Sequence, residues 1–522
     1  MNWDFPYPSR RSPVLARNAV ATTQPLAAQA GLSMLQRGGN AVDAAIATAI
    51  ALTVVEPVNN GLGSDVFAIV WDGRGLSGLN ASGRAPAGWA TSRFDGPTMP
   101  HEGWDSATVP GAVSAWVALN QRYGRLPFDT LFEPAIRYAT DGFLVPPMIA
   151  QIWENQVERL HDQPGFAAMF LPRGRAPAAG EHFRPPHQAD TLRTIAETGG
   201  ESLYRGELAQ AIARAAADGG GQMTASDLAE HTCDWVEPLA VEFRGHRIHE
   251  LPPNGQGIAA LIALGVLQRC ERSGLEPDSA EMLHLQIEAL KLGAFDSCDH
   301  VADPEHMTID AGSLLDPARL DDLARSVRRD RISVPAPKSQ HRGATVYLAA
   351  ADADGMMVSF IQSNYHGFGS GVVVPGTGIA LNNRGSCFVT DKGHPNVVGP
   401  RKRPLNTIIP GFITKDGAPV AAFGVMGGTM QPQGHLQVVS RMLDSGQNPQ
   451  TAIDAPRWRV EGEEVWVEAG VPAEARSGLA ARGHRLIEGT ALDFGAAQII
   501  RRTESGYVAG SEGRRDGCAV GF

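Results

Sequence analysis

The amino-acid sequence predicts an α+β fold in which stacked β-sheets are covered by helices. From about residue 106 to residue 300 the periodicity is mainly helical, with apolar side chains recurring every three or four positions in "GAVSAWVALNQRYG". Beyond residue 344 the pattern changes to short apolar runs typical of strands, and a Pro-rich, polar stretch at 332–344 separates the two parts. Because helices and strands are segregated rather than alternating as βαβ units, we expect layers of sheet and helix.

The composition is that of an ordinary globular protein, and it argues against nucleic acid as a partner. The chain has 522 residues, of which 43% are hydrophobic and 19% charged, and its formal net charge is −11. Binding to a phosphate backbone needs a concentrated positive surface. The one basic run, "RSVRRDR" at 325–331, is interrupted by Ser, Val and Asp. We therefore expect no nucleic acid partner.

Cysteine spacing and hydropathy favour a cytoplasmic protein with no membrane partner. The five cysteines are far apart and include no CxxC pair, so they indicate neither a disulfide framework nor a zinc site. The first residues lack the apolar segment of a secretory signal. The longest uncharged helical run, Ala44 to Val55, is shorter than the ~20 residues that a bilayer requires.

Two helices and two strands are predicted near the N-terminus. The first helix has Pro25 in its first turn and stops at Gly38-Gly39. The second begins after Asn40, a good N-cap residue, and is apolar on all sides, so it must be buried. The segments "DVFAIVWDG" and "GLSGLNASGRAP" then read as strands with glycine turns.

The second part of the chain is predicted to be strand-rich. The expected strands are "TVYLAAAD", "MMVSFIQS", "GVVVP", "IALNN", "NTIIPGFIT" and "PVAAFGVM", and a helix, "QPQGHLQVVSRMLDSG", follows them. The sequence contains no internal repeat and no low-complexity tract. These strands supply the sheets of the predicted layers.

The start of the first of these strands places Thr345 directly after Gly343-Ala344. A threonine hydroxyl is a weak nucleophile without a base beside it, and the α-amine of an N-terminal threonine can be that base. The ordinary pKa of that amine is ~7.7–8.0, so part of it is neutral at physiological pH. Thr345 gains a free amine only if its own Oγ attacks the Ala344 carbonyl and the peptide is cut. A threonine opening a strand is common, so this residue alone leaves a structural role open.

Several segments, in this order, resemble those of the γ-glutamyltranspeptidase family of N-terminal-nucleophile hydrolases. They are "GGNAVDAAIATAIALTVVEP…GLGSD", "ATVPGAVSAW", "LPPNGQGI", "ATVYLAAADADGMMVSFIQSNYHGFGSGVVVPGTGIALNN", "GPRKRPLNTIIP", "VMGGTMQPQGH" and "AIDAPRWRV". The family's nucleophilic threonine lies ten residues before the glycine of a "DxDG" turn, as Thr345 lies ten before Gly355. The resemblance implies a proenzyme cut at Ala344-Thr345 into residues 1–344 and 345–522. It also implies that both pieces form one four-layer αββα sandwich.

The resemblance assigns three further catalytic positions. The family has a second hydroxyl eighteen residues after the nucleophile that orients it, and this position is Ser363. Gly427-Gly428 in "VMGGTM" match paired glycines whose backbone N–H groups form the oxyanion hole. Glycine suits that role because backbone without a Cβ can approach the reacting carbonyl closely. The simpler alternatives are a strand serine bonded to backbone and an ordinary glycine turn.

The substrate-binding positions depart from the family pattern. The family's "NNQxxD", whose acid holds the substrate ammonium, is "NNRGSC" here, so Arg384 replaces the Gln and Cys387 replaces the acid. Removing the partner of a buried charge costs about 3–5 kcal/mol, which would cripple recognition of an ammonium. Tyr365 stands in place of an asparagine, and Asn406-Thr407 stand in place of a serine pair. We expect Arg384, Tyr365, Asn406 and Thr407 to bind the substrate.

In the family, an arginine in the first piece, the carboxylate clamp, binds the α-carboxylate of the substrate. The match of this sequence to that arginine is weaker. The family arginine lies four residues before a proline, whereas Arg84 in "ASGRAPAG" lies two before it. Arg84 is therefore either the clamp or a plain surface arginine. The segment 391–404 is also short where many transpeptidases carry a longer lid loop, which implies a more open site.

These departures imply an amidohydrolase whose substrate is a small carboxylate without an α-ammonium. The family's oxamate amidohydrolase branch, which converts oxamate to oxalate and ammonia, fits this description. The alternatives are a glutaryl-type cephalosporin acylase and a γ-glutamyl hydrolase or transferase. An alternative of another class is an uncleaved, inactive relative that acts as a binding protein.

No cofactor or metal is expected, and a homodimer of the two-piece unit is compatible with the resemblance. The run "CDHVADPEH" at 298–306 matches no metal-ligand spacing. His366 and His435 lie near the site in sequence, and we expect them to have structural or supporting roles.

Overall fold

The computed structural model describes Trp3, residues 10–335 and residues 343–522. Its helices are α1 Pro25–Gln36, α2 Ala41–Val55, α3 Ala112–Tyr123, α4 Glu133–Asp141, α5 Pro147–Leu160, α6 Phe166–Phe170, α7 Gln188–Glu197, α8 Glu201–Arg205, α9 Glu207–Asp218, α10 Ala225–Ala229, α11 Gly257–Arg269, α12 Ala280–His300, α13 Pro317–Ser326, α14 Met430–Leu443, α15 Pro449–Asp454 and α16 Ala473–Ala481. Helices dominate up to residue 326, as the sequence predicts.

The strands are concentrated at the N-terminus, around residue 240 and beyond residue 343. They are β1 Val14–Ala16, β2 Ala19–Thr22, β3 Asp65–Trp71, β4 Leu76–Ala81, β5 Phe143–Leu144, β6 His182–Phe183, β7 Asp234–Val236, β8 Leu239–Phe243, β9 His246–Glu250, β10 Ala344–Ala351, β11 Met357–Tyr365, β12 Val373–Val374, β13 Ile379–Ala380, β14 Gly411–Lys415, β15 Ala418–Met426, β16 Trp458–Glu461, β17 Glu464–Val467, β18 Arg485–Glu488, β19 Ala496–Arg502, β20 Tyr507–Ser511 and β21 Cys518–Gly521.

Two seven-stranded antiparallel sheets form the centre of the fold. The first has the order β21-β2-β10-β11-β3-β4-β7 and the second the order β1-β20-β19-β15-β14-β9-β8. Strand β10 shows how side chains alternate between layers: Val346 and Leu348 pack toward helices, whereas Tyr347 and Ala349 pack between the sheets. The strand that carries Thr345 is therefore buried on both faces.

Three apolar cores hold the layers together. One lies between the sheets, a second joins the first sheet to α1 and α2, and a third joins the second sheet to α11, α12 and α14. This arrangement confirms the four-layer αββα sandwich. Residues before and after Ala344-Thr345 contribute strands to both sheets, so the two parts form one unit, and the cut between them stays a prediction.

Helix α2 is confirmed as a buried helix with the predicted N-cap. The Asn40 side chain accepts hydrogen bonds from the Val42 and Asp43 backbone N–H groups, and Asp43 Oδ2 accepts one from the Asn40 N–H at 2.9 Å. Every residue of α2 is buried. Its alanines allow the helix to lie close to β10 and β11.

Three boundaries differ from the sequence prediction. Strands β7, β8 and β9 lie in a part predicted to be mainly helical; they are short and rich in charged residues, so their period-two signal is weak. Only Gly411–Lys415 of the predicted strand "NTIIPGFIT" forms a strand, because Pro410 has no N–H to donate to a sheet. Of the predicted linker 332–344, residues 336–342 lie outside the described residues, and Ala344 already belongs to β10.

Candidate active site

Thr345 lies at a β-bulge where β10 begins to pair with β11. Ala344 is opposite Tyr365 and Val346 is opposite Gln362, so two residues of β11 face Thr345 alone. A bulge bends the strand locally and changes the direction of a side chain, which is why bulges are common beside active sites. The Thr345 side chain is nearly buried here, with 1% of the residue exposed.

A chain of hydroxyl hydrogen bonds links Thr345 to the peptide that is predicted to be cut. Thr345 Oγ1 donates to Ser363 Oγ at 3.2 Å, and Ser363 Oγ donates to the Ala344 carbonyl oxygen at 2.7 Å. The Tyr365 backbone N–H donates to the same Ser363 oxygen at 2.7 Å and fixes its position. Ser363 therefore contacts both partners of the predicted self-cleavage.

Gly427 and Gly428 lie against the segment that precedes Thr345. They connect the end of β15 to α14 and have φ values of 130° and 61°, a region that favours glycine. A Cβ added to Gly343 would lie 3.0 Å from the Gly428 Cα, which shows how closely the two backbones approach. Gln256 Nε2 donates to the carbonyl oxygens of Gly428, at 2.9 Å, and of Thr407, at 2.6 Å. This amide ties the glycine pair to the predicted substrate-binding segment.

An open cleft of about 530 Å³ leads to Thr345. Ala344, Thr345 and Gly427 line its inner part, so the predicted nucleophile and one predicted oxyanion residue share a wall. Three arginines and one aspartate are also among the described residues that line it: Arg159, Arg459, Arg515 and Asp493. The cleft wall therefore carries more positive than negative charge.

A fully buried cluster forms around Arg384. Its Nε lies 3.3 Å from Asp65 Oδ2, and its Nη1 donates to Thr407 Oγ1 at 2.8 Å. The guanidinium carbon lies 4.6 Å from the centre of the Tyr365 ring, within the range of a cation–π contact. Asn406 Nδ2 donates to the same Asp65 oxygen at 3.1 Å. The structure thus brings together four of the predicted substrate-binding residues.

Asp65 is a member of this cluster that sequence reasoning missed. It begins β3, is paired with Ser363 across the sheet, and accepts a hydrogen bond from the Gly83 N–H at 3.0 Å. Burial raises the pKa of its carboxyl, and the charge of Arg384 opposes that rise. The sequence feature that could have identified it is an acid at the start of the otherwise apolar strand "DVFAIVW". A buried acid at such a position needs a charged partner.

At position 387, where the resemblance implies an acid, the cluster contains Cys387. Burial raises the pKa of the Cys387 thiol, so this position carries no negative charge at neutral pH. Asp65 supplies the counter-charge for Arg384 from another strand. One guanidinium nitrogen, Arg384 Nη2, is buried with no hydrogen-bond partner among the described residues.

The structure does not bring Arg84 to the cleft of Thr345. Its Nη1 donates to Asp303 Oδ2 and to the Arg401 carbonyl oxygen, both at 3.1 Å. With His231 and Arg401 it lines a separate pocket. Arg84 is partly buried and Asp303 is buried, so the contacts of Arg84 are those of a structural ion pair.

The two histidines take supporting positions. The His366 ring lines the cleft and stacks on Tyr365 at 4.2 Å between ring centroids. His435 Nε2 accepts from the Val425 N–H at 3.2 Å, so its Nδ1 carries the proton and donates to Glu250 Oε1 at 2.5 Å. Because Val425 lies two residues before Gly427, His435 helps to hold the strand end that leads to the glycine pair.

Three side chains of types that can bind a metal ion lie close together outside the cleft of Thr345: His284, Glu288 and His484. His284 Nε2 donates to the Arg328 carbonyl oxygen at 2.7 Å, so its Nδ1 accepts from His484 Nε2 at 2.8 Å. Glu288 is paired with Lys291 at 2.9 Å. Hydrogen bonds within the protein therefore occupy most of the atoms that a metal would use.

The sequence profile of gamma-glutamyltranspeptidase matches residues 27–522. The chain belongs to the gamma-glutamyltranspeptidase family. It is 38% identical to the Glutathione hydrolase-like YwrD proenzyme of Bacillus subtilis (strain 168), over 98% of this chain and 100% of that protein. It is 34% identical to the Oxamate amidohydrolase proenzyme of Klebsiella pneumoniae, over 95% of this chain and 97% of that one.

The solved structures include a cephalosporin acylase from Bacillus halodurans with the same fold. The two chains are 46% identical, with a TM-score of 0.96 over 100% of this chain and 99% of the other. Membership of this family makes the chain an amidase or transpeptidase of the N-terminal-nucleophile class. Within the described part of the chain, no helix combines the length and the hydropathy needed to cross a membrane.

Proposed function

We propose that the chain is a self-processing amidohydrolase that uses Thr345 as its N-terminal nucleophile and cleaves the amide of a small carboxylate. The observation that carries this proposal is the hydroxyl chain from Thr345 through Ser363 to the Ala344 carbonyl oxygen. A threonine with only a structural role in a strand does not need a hydrogen-bonded link, through a second hydroxyl, to the carbonyl oxygen of the peptide that precedes it.

This geometry supports self-cleavage, which would proceed in the following steps. Thr345 Oγ attacks the Ala344 carbonyl carbon, and the Ser363 hydroxyl stabilises the negative charge that grows on the carbonyl oxygen. The bond from that carbon to the Thr345 nitrogen breaks, the nitrogen takes up the proton that Oγ has lost, and an ester remains on Oγ. Water hydrolyses the ester, which leaves a carboxylate on Ala344 and a free α-amine on Thr345.

Turnover uses the amine released in this way. The amine takes the proton of Thr345 Oγ as the oxygen attacks the substrate amide, and it later protonates the leaving nitrogen. The N–H groups of Gly427 and Gly428 stabilise the oxyanion. Water then cleaves the acyl ester and regenerates the hydroxyl.

The buried arginine cluster is the proposed seat of the acyl carboxylate. Arg384 Nη2 is a buried donor without a partner among the described residues, and a carboxylate oxygen would satisfy it. Asp65 already accepts three hydrogen bonds, from Gly83, Asn406 and Arg384, so it is poorly placed to hold a substrate ammonium as well. Oxamate, a carboxylate joined directly to an amide, is the smallest substrate with these features and is our first candidate.

A glutaryl-type acylase is the second candidate, and two observations favour it. The cleft has a volume of about 530 Å³. That volume is far larger than the volume of the ammonia molecule that hydrolysis of oxamate would release. The cephalosporin acylase from Bacillus halodurans is also similar along its full length. A substrate with a larger amine half would make use of the open cleft.

The test is release of ammonia or amine from oxamate, glutarylated amines and γ-glutamyl amides, with Thr345→Ala as the control. We expect turnover of oxamate or of glutarylated amines by the wild type and none by the variant. Activity confined to γ-glutamyl amides would contradict the role given to Arg384. A single intact band on a denaturing gel, together with no turnover of any substrate, would favour the alternative of an inactive binding protein.

A further inference from the structure

The three arginines that line the open cleft differ in how their charges are balanced. Arg159 Nη1 lies 2.8 Å from Glu102 Oε1, and Arg459 Nη2 lies 3.0 Å from Glu461 Oε2. Each of these guanidinium groups therefore has a carboxylate partner. The third, Arg515, is bound in another way.

Arg515 is held by backbone carbonyl oxygens. Its Nη1 donates to Arg514 O at 2.8 Å and to Ala491 O at 3.4 Å, and its Nη2 donates to Leu492 O at 3.1 Å. Its Nε is buried and has no hydrogen-bond partner within the described ranges 10–335 and 343–522. In the same ranges, Arg515 forms no ion pair with a carboxylate.

The neighbouring residue shows that carboxylates are not scarce in this part of the fold. Arg514 lies 2.6 Å from Glu468 Oε2 and 2.8 Å from Glu512 Oε1, so two acids balance one guanidinium. Burial lowers the pKa of Arg515, and the charges of Glu512, Glu56 and Asp516 oppose that shift, although none of these three acids forms an ion pair with it. Arg514 thus has two carboxylate partners. The adjacent Arg515, in the cleft wall, forms no ion pair within the described ranges and can bind another anion.

We propose that Arg515 binds a carboxylate on the amine half of the substrate, so that amides of amino acids or of other amino carboxylates are preferred. This inference rests on the proposed amidohydrolase function. The acyl carboxylate is assigned to Arg384, which is fully buried, whereas the amine half must leave through the side that opens to solvent. Arg515 and Thr345 line the same cleft.

The test compares two substrates with the same acyl group, which is the one that the wild type cleaves best. Their amine halves are glycine and glycinamide, which have similar size but differ by one negative charge. The measured quantity is the ratio of kcat/KM for the glycine amide to kcat/KM for the glycinamide amide, in the wild type, Arg515→Gln and Arg515→Lys. A ratio is independent of the fraction of folded enzyme, so a partly unfolded variant still gives a valid result.

A charge-assisted hydrogen bond corresponds to about a tenfold to hundredfold effect. We expect the ratio to fall by at least about tenfold in Arg515→Gln and to be partly kept in Arg515→Lys. An unchanged ratio in Arg515→Gln, with or without an equal loss of rate on both amides, overturns the proposal. Turnover of the glycinamide amide by the wild type shows that the amidohydrolase function holds whatever the ratio. No turnover of either amide by a wild type that hydrolyses oxamate overturns the proposal for Arg515 alone, whereas no turnover of these amides, of oxamate or of glutarylated amines overturns both proposals.

Discussion

The two sides of Thr345 carry arginines in opposite environments. Arg384 is fully buried, is paired with Asp65 and lies over the Tyr365 ring, whereas Arg515 borders an open cleft and, among the described residues, donates hydrogen bonds to backbone carbonyls alone. A buried arginine of the first kind needs its counter-charge to fold, because an unpaired buried charge is costly. An arginine of the second kind, such as Arg515, can bind an anion that enters the cleft from solvent. The acyl half of the substrate is therefore expected on the enclosed side and the amine half on the open side.

The largest expected effect comes from Thr345, which lies between the two sides. Thr345→Ala removes the nucleophile, so self-cleavage should stop and turnover should fall by at least about 10³-fold. Thr345→Ser is the matched variant, because it keeps a hydroxyl and should retain both activities in part. The measurements are a denaturing gel and the rate of amine release. An alanine variant that turns over at the wild-type rate would exclude Thr345 from the reaction.

Ser363 should give the next largest effect. Ser363→Ala removes the hydrogen bond to the Ala344 carbonyl oxygen, so self-cleavage should slow by about 10²–10³-fold, the usual cost of losing one oxyanion donor. Ser363→Thr keeps the donor and should cleave at a rate near that of the wild type. The time course of the appearance of the two pieces gives both rates. Equal rates in the alanine variant and the wild type would show that this hydrogen bond is only structural.

Arg384→Gln should weaken binding of the acyl carboxylate and raise KM by about 10–100-fold. The same change leaves Asp65 buried without its charge partner, at a cost of about 3–5 kcal/mol of unfolding free energy. The double variant Asp65→Asn with Arg384→Gln separates the two effects. It should recover much of the stability and none of the affinity.

Thermal unfolding and steady-state kinetics on both variants provide this measurement. If the double variant regained the wild-type KM, Arg384 would act only through folding. If Arg384→Gln alone left KM unchanged, the acyl carboxylate would have to bind elsewhere.

The smallest effect concerns Glu56, a buried acid near the open side. Its carboxylate accepts from Thr23 Oγ1 at 2.5 Å and from Asn59 Nδ2 at 2.6 Å, and burial raises its pKa to about 7. The folded state therefore holds a proton that the unfolded state loses near pH 4.5, so this group makes stability fall as pH rises from about 4.5 to about 7. The expected loss is ~3 kcal/mol or less.

Glu56→Gln cannot titrate, so its unfolding free energy should lack this decline and should exceed that of the wild type most clearly above pH 7. Denaturant unfolding at a series of pH values between 4.5 and 8 measures the difference. Parallel pH curves for the two proteins would show that the Glu56 carboxyl is not protonated in the folded state.

Features that depend on neighbouring residues in the sequence could be predicted from it. The buried helix α2 with its Asn40 cap, the strand that begins at the junction after Gly343, and the glycine turn at 427–428 are examples. The positions of Ser363 and of the glycine pair came from the family resemblance, and the structure places Ser363 Oγ 3.2 Å from Thr345 Oγ1 across the β10–β11 pair. Local pattern was sufficient for the helix and the strand, and the spacing shared with the family indicated the rest.

Features that depend on distant pairings could not be predicted. Asp65 and Arg384 are far apart in the chain, and the pairing of Gly63 with Leu381 brings the start of β3 beside the segment that carries the arginine. The absence of a carboxylate partner for Arg515 among the described residues is likewise visible only in three dimensions. Strands β7–β9 were missed because charged side chains weaken their alternation.

The N-terminus of the small piece is the most direct test of the role of Thr345. Mass spectrometry of purified, active protein should find two chains, residues 1–344 and 345–522, and sequencing of the smaller one should begin at Thr345. Active material that consists only of the intact 522-residue chain would contradict a mechanism in which the α-amine of Thr345 is the base.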